Sequence, residues 1–114
     1  AAIRFNASAV ESLYGELWHE VVQAAQPVPN GSTAALNAFL SKESDTSTAP
    51  AERLAAYVEH LVALAGLETR LAALGIPADC LSQLSEDATS QWTGTFNPRS
   101  LSQEDFLELY HQRF

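Results

Sequence analysis

The chain has 114 residues, 46% of them apolar, and a formal net charge of −8. That length is one domain's worth, able to bury roughly 65% of the surface its unfolded chain exposes, and the apolar share is too large for a disordered chain. Lys42 is the only lysine, which excludes the Lys and Arg clusters that hold nucleic-acid phosphates or anionic membranes.

The acids are scattered and read as a solvated surface. Cys80 is the sole cysteine, so no internal disulfide forms, and a reducing, cytoplasmic compartment is expected. No apolar run approaches the ~20 residues of a membrane span, and the first residues lack the pattern of a signal peptide. The chain contains no methionine. With a helix expected to start within a few residues of Ala1, this suggests a piece of a longer protein.

In chain order, Ser8 and Glu11 have the spacing of a capping box, with Ser8 as the start of the first helix. Val10, Leu13, Tyr14, Leu17, Trp18, Val21 and Val22 then recur three and four residues apart, one helix face. Core packing is the expected role of this stripe, although part of it would stand exposed if it faced a missing portion of the protein. Pro27 and Pro29 end the helix, and Asn30-Gly31 signals a turn. A shorter helix is expected over about 33–42 with Leu36, Phe39 and Leu40 inward, followed by a polar loop over 44–48.

Pro50 suits the first turn of the next helix. Leu54, Tyr57, Val58, Leu61, Leu64 and Ala65 keep its period, and Gly66 is placed as its C-cap. Leu67, Leu71 and Leu74 lead to Gly75-Ile76-Pro77. Pro77 opens a helix through Cys80, Leu81, Leu84 and Ala88. Trp92-Thr93-Gly94-Thr95-Phe96 and the rigid Asn97-Pro98-Arg99 turn follow. The last helix has Ser102 as N-cap and Asp105 at its third position, with Leu101 and Phe106 spaced as a hydrophobic staple. No segment alternates with period two. The fold class is therefore all-α, about five helices in a compact bundle forming a single domain over 1–114.

Chemistry-bearing patterns are sparse. His19-Glu20-Val21-Val22-Gln23 begins like the zinc helix H-E-x-x-H, but Gln23 replaces the second histidine. His60 and His111 are isolated. Glu16, Glu20, Glu52 and Glu59 lie on helices without a matching basic or acidic partner at catalytic spacing and read as a solvated face. Cys80 is expected as a small buried apolar residue. The dispersed glycines form no phosphate-binding loop. No catalytic, cofactor-binding or metal-ligating residue is assigned to the chain.

Several segments resemble the iron-containing, NAD(P)-dependent alcohol dehydrogenase family, which includes maleylacetate reductases. Arg4-Phe5-Asn6-Ala7 is similar to a segment that follows an apolar helix end in that family. Leu61 to Leu71 and Leu74-Gly75-Ile76-Pro77 resemble its leucine-rich helices broken by Gly-Ile-Pro turns, with Glu68 where proline is common. Thr93-Gly94, Asn97-Pro98-Arg99, Glu104-Asp105 and Glu108-Leu109-Tyr110-His111 are the most specific part.

The resemblance implies the C-terminal portion of a dehydroquinate synthase-like helical domain. Its implied partner is an N-terminal nucleotide-binding domain of the same protein, and a homo-oligomer is one arrangement open to the parent. It implies an alcohol or aldehyde substrate, NAD(P), and an Fe²⁺ or Zn²⁺ ion that polarises the substrate oxygen during hydride transfer. The family's metal ligands, an Asp and three His, precede the segment that resembles Ala1 to Ala7, and His19, His60 and His111 do not sit in its ligand motifs. Trp92 and Thr93 resemble a segment near the interdomain cleft, which makes them candidate cleft-lining residues; the alternative is a structural loop with Trp92 in the core. The implied function is structural support of that cleft by a chain inactive alone. A stand-alone helical interaction module, or a fragment of a maleylacetate reductase or glycerol dehydrogenase-like enzyme, are the competing readings.

Overall fold

A computed structural model describes residues 1–24, 38–40 and 48–114. Among them every regular element is helical: α1 (Ala2–Ala24), α2 (Pro50–Leu64), α3 (Leu81–Thr89) and α4 (Gln103–His111), with 3₁₀ turns at Ala78–Cys80 and Trp92–Phe96. Residues 38–40 are helical as well, so the all-helical expectation holds. The expected breaks at Pro27, Pro29 and Asn30-Gly31, and most of the helix over 33–42 and the loop over 44–48, lie outside the described residues.

Helix α1 begins six residues before Ser8, which corrects the expected start. It is interrupted at Val10, where φ is −138° and ψ is 30°. The capping signal therefore marks a kink inside a longer helix rather than a beginning. Glu11 does not turn back to Ser8. Its carboxylate accepts the backbone N–H of Ala51 at 3.1 Å. Pro50 lacks an N–H, so Ala51 carries the first free donor of α2, whose N-cap Ala49 has no side chain to offer. An acid from a different helix thus satisfies a donor that local sequence leaves open.

Helix α1 crosses α2 where Gly15 meets Pro50; a Cβ built on Gly15 would lie 3.8 Å from the proline Cγ. Next to this crossing, Trp18 is 6% exposed. It meets Tyr57 edge-on at 6.1 Å, and the Arg53 guanidinium lies 5.7 Å from its ring centre, an arrangement that adds cation–π attraction to apolar burial. Ala51, Leu54 and Ala55 complete the buried face of α2. The stripe on α1 is only partly used. Leu13 and Leu17 are each 52% exposed, and Val22 is also exposed. One crossing helix covers a narrow strip, so the wider stripe read from the sequence exceeds what α2 alone can bury.

Helix α2 ends where Gly66 was expected to stop it, at φ 66°. The N–H of Leu67 donates to Val62 and that of Gly66 to Ala63, the paired bonds of a Schellman motif. Glu68 then accepts from the N–H groups of both Thr69 and Arg70 at 2.8 Å. Its carboxylate stiffens the link after α2. Helix α2 thus ends at Leu64, and residues 71–75 form turns that close with Ile76 donating to Leu71.

Before α3, Cys80 lies exposed in a 3₁₀ turn. This corrects its expected burial: the turn points it outward, and Leu81, 1% exposed, takes the interior position beside Ser85. Helix α3 packs on α4. The start of α4 matches the sequence reading. Asp105 N–H donates to Ser102 Oγ at 3.2 Å, and Ser102 N–H donates to Asp105 Oδ2 at 2.8 Å, a reciprocal capping box. The Ser102 backbone N–H, and then the Ser102 side chain, hold the Asp105 carboxyl below its usual range.

Candidate functional site

The candidate residues Trp92 and Thr93 open the 3₁₀ turn Trp92–Phe96. Trp92 is 70% and Phe96 75% exposed, with the rings edge-to-face at 5.6 Å. Thr93 is exposed between them. Trp92 is therefore not a core residue of this chain. The turn is built by Gly94 N–H donating to Gln91, Asn97 N–H donating to Gly94, and Thr95 Oγ1 donating to the Trp92 carbonyl at 2.7 Å. Below it lies a cavity of about 230 Å³ bounded by Ala88, Gln91, Gly94, Asn97, Leu101 and Phe106. Leu101 and Phe106, the expected staple pair, thus line one wall together.

Pro98 restricts the residue before it to extended backbone, and Asn97 has φ −69° and ψ 137°. That conformation ends the turn and aims the Asn97 amide at α1. There Asn6 and Asn97 exchange two hydrogen bonds, each 2.8 Å long. The second amide hydrogen of Asn97 goes to the Arg99 carbonyl at 2.6 Å. Asn6 is 5% exposed. Arg99 in turn donates from Nη1 to the Phe5 carbonyl, and its guanidinium carbon sits 3.9 Å from the centre of the Phe5 ring. The Arg4-Phe5-Asn6-Ala7 segment and the Asn97-Pro98-Arg99 segment, 91 residues apart, are thus two halves of one contact. In the sequence Asn6 stood only within the Arg4-Phe5-Asn6-Ala7 resemblance, ahead of the expected helix start, and nothing there marked Asn97 as its partner.

A second polar cluster joins the same helix to the chain's last residues. Arg4 donates to Glu52 at 2.6 and 2.7 Å and to Glu59 at 2.8 and 3.1 Å. Glu59 also accepts from Arg113. Hydrogen bonds from Arg4 and then Arg113 hold the Glu59 carboxyl down at about 2, against an ordinary 4.5, and the Arg4 bond lowers Glu52 as well. Leu71 N–H donates to the Arg113 carbonyl at 2.8 Å, and Arg70 reaches the Phe114 carbonyl oxygen at 3.3 Å. Glu52 and Glu59 are therefore ion-pair members on the solvated face read from the sequence. Their partners lie 48 to 55 residues away, beyond any helical spacing.

The histidines are dispersed. His19 and His111 are exposed on α1 and α4, and His60 stacks on Phe39 at 4.6 Å. Gln23, in place of a second zinc-helix histidine, is exposed on the last turn of α1.

An all-helical chain whose Arg-Phe-Asn segment is clasped by an Asn-Pro-Arg turn defines a helical domain with one anchored aromatic edge. The chain belongs to the Fe-containing alcohol dehydrogenase family: the profile of that family's C-terminal region matches residues 4–114. Comparison with curated proteins gives no match, and comparison with solved structures gives none. The family is one of alcohol dehydrogenase-type oxidoreductases, and its name implies iron. Among the described residues, no three His, Cys, Asp or Glu side chains converge in a way that would hold such an ion. Among the described residues, no helix is long and apolar enough to cross a membrane.

Proposed function

We propose that this domain forms one wall of the interdomain cleft in an NAD(P)-dependent oxidoreductase acting on an alcohol or aldehyde, and that it is inactive alone. The cofactor is held by an N-terminal nucleotide-binding domain of the same protein, and the metal, Fe²⁺ or Zn²⁺, by residues outside this chain. The observation that supports this reading most is the Trp92–Phe96 turn. Two large aromatic rings stand in solvent on a backbone whose next residues are locked to α1. Apolar area of that size on a fixed support is suited to pack against something outside this chain.

In the cleft, Trp92 would exclude water from the reacting region and bear on the alkyl part of the substrate, with the Thr93 hydroxyl beside it as a hydrogen-bonding group. Hydride transfer itself belongs to the nicotinamide cofactor. Replacing Trp92 with Ala in the complete enzyme is the test. We expect kcat/KM to fall, and to fall unequally among substrates that differ in chain length. Unchanged kcat/KM across several alcohols would remove the cleft role. The isolated chain is expected to bind neither NAD(P)H nor a stoichiometric metal ion; tight binding of either would contradict the assignment of those ligands elsewhere.

A further inference from the structure

The aromatic turn is exposed in its side chains and fixed in its backbone. At its start, Gln91 N–H donates to the Ala88 carbonyl at 3.1 Å, which ties it to the end of α3. At its other end stands the reciprocal amide pair of Asn97 and Asn6. A matched amide pair tolerates one register. A shift of the turn along α1 would leave two donors and two acceptors unpaired at a site where Asn6 is 5% exposed, and such orphaned groups are costly. Arg99 adds a second constraint of a different kind. Its Nη1 donates to the Phe5 carbonyl while its charged face lies on the Phe5 ring. Amide pair and guanidinium contact together fix both translation and tilt of the strand that leaves the turn.

We infer that Asn6, Asn97 and Arg99 are positioning residues: they set where Trp92 and Thr93 stand in the cleft, a role that rests on the cleft reading proposed above. None of the three needs to touch substrate. They act through the turn, so they matter to chemistry only as far as the aromatic edge does. Catalytic geometry is sensitive to such placement, since a displacement of about 1 Å can lower a rate about a hundredfold.

The chain has two tryptophans, so a Trp18→Phe background leaves Trp92 as the only one and its fluorescence reports on the turn. In that background, Asn6→Leu and Asn97→Leu are each expected to lower the anisotropy of Trp92, and the double variant to lower it no further than either single change, because both remove the same pair. In the complete enzyme each single change is expected to lower kcat/KM about tenfold or more. Added to Trp92→Ala, Asn97→Leu is expected to cost less than about a further twofold, because its effect passes through the missing side chain.

Circular dichroism checks that the variants remain helical. If the leucine variants do not, Arg99→Lys, which keeps the charge and loses the planar contact with Phe5, is read in the same three ways. Unchanged Trp92 anisotropy in folded variants overturns the positioning role. A full additional loss of kcat/KM in the Trp92→Ala background overturns action through the turn. Lowered anisotropy with kcat/KM unchanged, in these variants and in Trp92→Ala alike, instead overturns the cleft reading on which the catalytic consequence rests.

Discussion

Glu59→Gln tests how much the Arg4–Glu59–Arg113 cluster contributes to stability. The substitution keeps the shape of the side chain and removes the charge that two guanidiniums share. In the folded chain the Glu59 carboxyl is held at about 2, and its ordinary value is 4.5. One pH unit of such a difference corresponds to about 1.4 kcal/mol, so the ceiling is roughly 3 kcal/mol. The Glu59 side chain is 40% exposed, and Arg4 and Arg113 are 37% and 34% exposed. Solvent screening and the ordering of long side chains reduce the net effect to about 1 kcal/mol.

The sign follows from the direction of the shift. A carboxylate with a depressed folded-state value contributes stability above 4.5, where it is ionised in both states, and loses that contribution as pH falls toward about 2. Urea unfolding at a series of pH values from 7 to 2 is the assay. The parent chain is expected to exceed Glu59→Gln by about 1 kcal/mol near neutrality, with the gap closing below pH 4.5 and narrowing at high salt. A gap that stays constant from pH 7 to 2, or widens on acidification, would refute the argument.

Three further outcomes follow from the caps and the crossing. Ser102→Ala removes the acceptor for Asp105 N–H and is expected to cost about 1 kcal/mol; an unmoved urea midpoint would mean that the cap contributes nothing. Glu11→Ala leaves Ala51 N–H without its acceptor and is expected to destabilise by about 1 kcal/mol, with faster hydrogen exchange at Ala51 than in the parent chain. Exchange at that amide unaltered would show that the cross-helix cap is not formed. Gly15→Ala places a methyl group in ordinary contact with Pro50 inside a helix, and is expected to stabilise by about 0.5–1 kcal/mol. A lowered melting temperature would mean that α1 and α2 approach more closely than the 3.8 Å contact indicates.

The helix boundaries that were legible in the sequence share one property: their bonds close within a few residues. Ser102 and Asp105 are three apart, and α2 terminates at Gly66 with Gly66 N–H donating to Ala63 and Leu67 N–H to Val62, so residue type and spacing suffice to place them. The same local logic misplaced the start of α1. Ser8 and Glu11 have the right spacing, yet a donor 40 residues away competes for the Glu11 carboxylate. The apolar stripe on α1 marked a helix correctly and overstated its burial, because periodicity records which residues can face a neighbour and not how wide the neighbour is.

The candidate site divides along the same line. Its family membership and its turn were present in the sequence, since proline fixes its own backbone and that of Asn97, and the Asn-Pro-Arg run is specific enough to carry a resemblance. What the turn is attached to was not. Asn6 reads as one polar residue ahead of the expected helix start and Glu59 as one acid among several, until folding brings Asn97, Arg99, Arg4 and Arg113 to this region across 48 to 94 residues. Sequence alone determined the helical class, the caps at Gly66 and Ser102, and the family. Only tertiary structure decided which polar groups pair and that the aromatic edge stands outward, because hydrogen-bond partners are chosen by proximity in space and the chain's spacing encodes proximity only within a few turns.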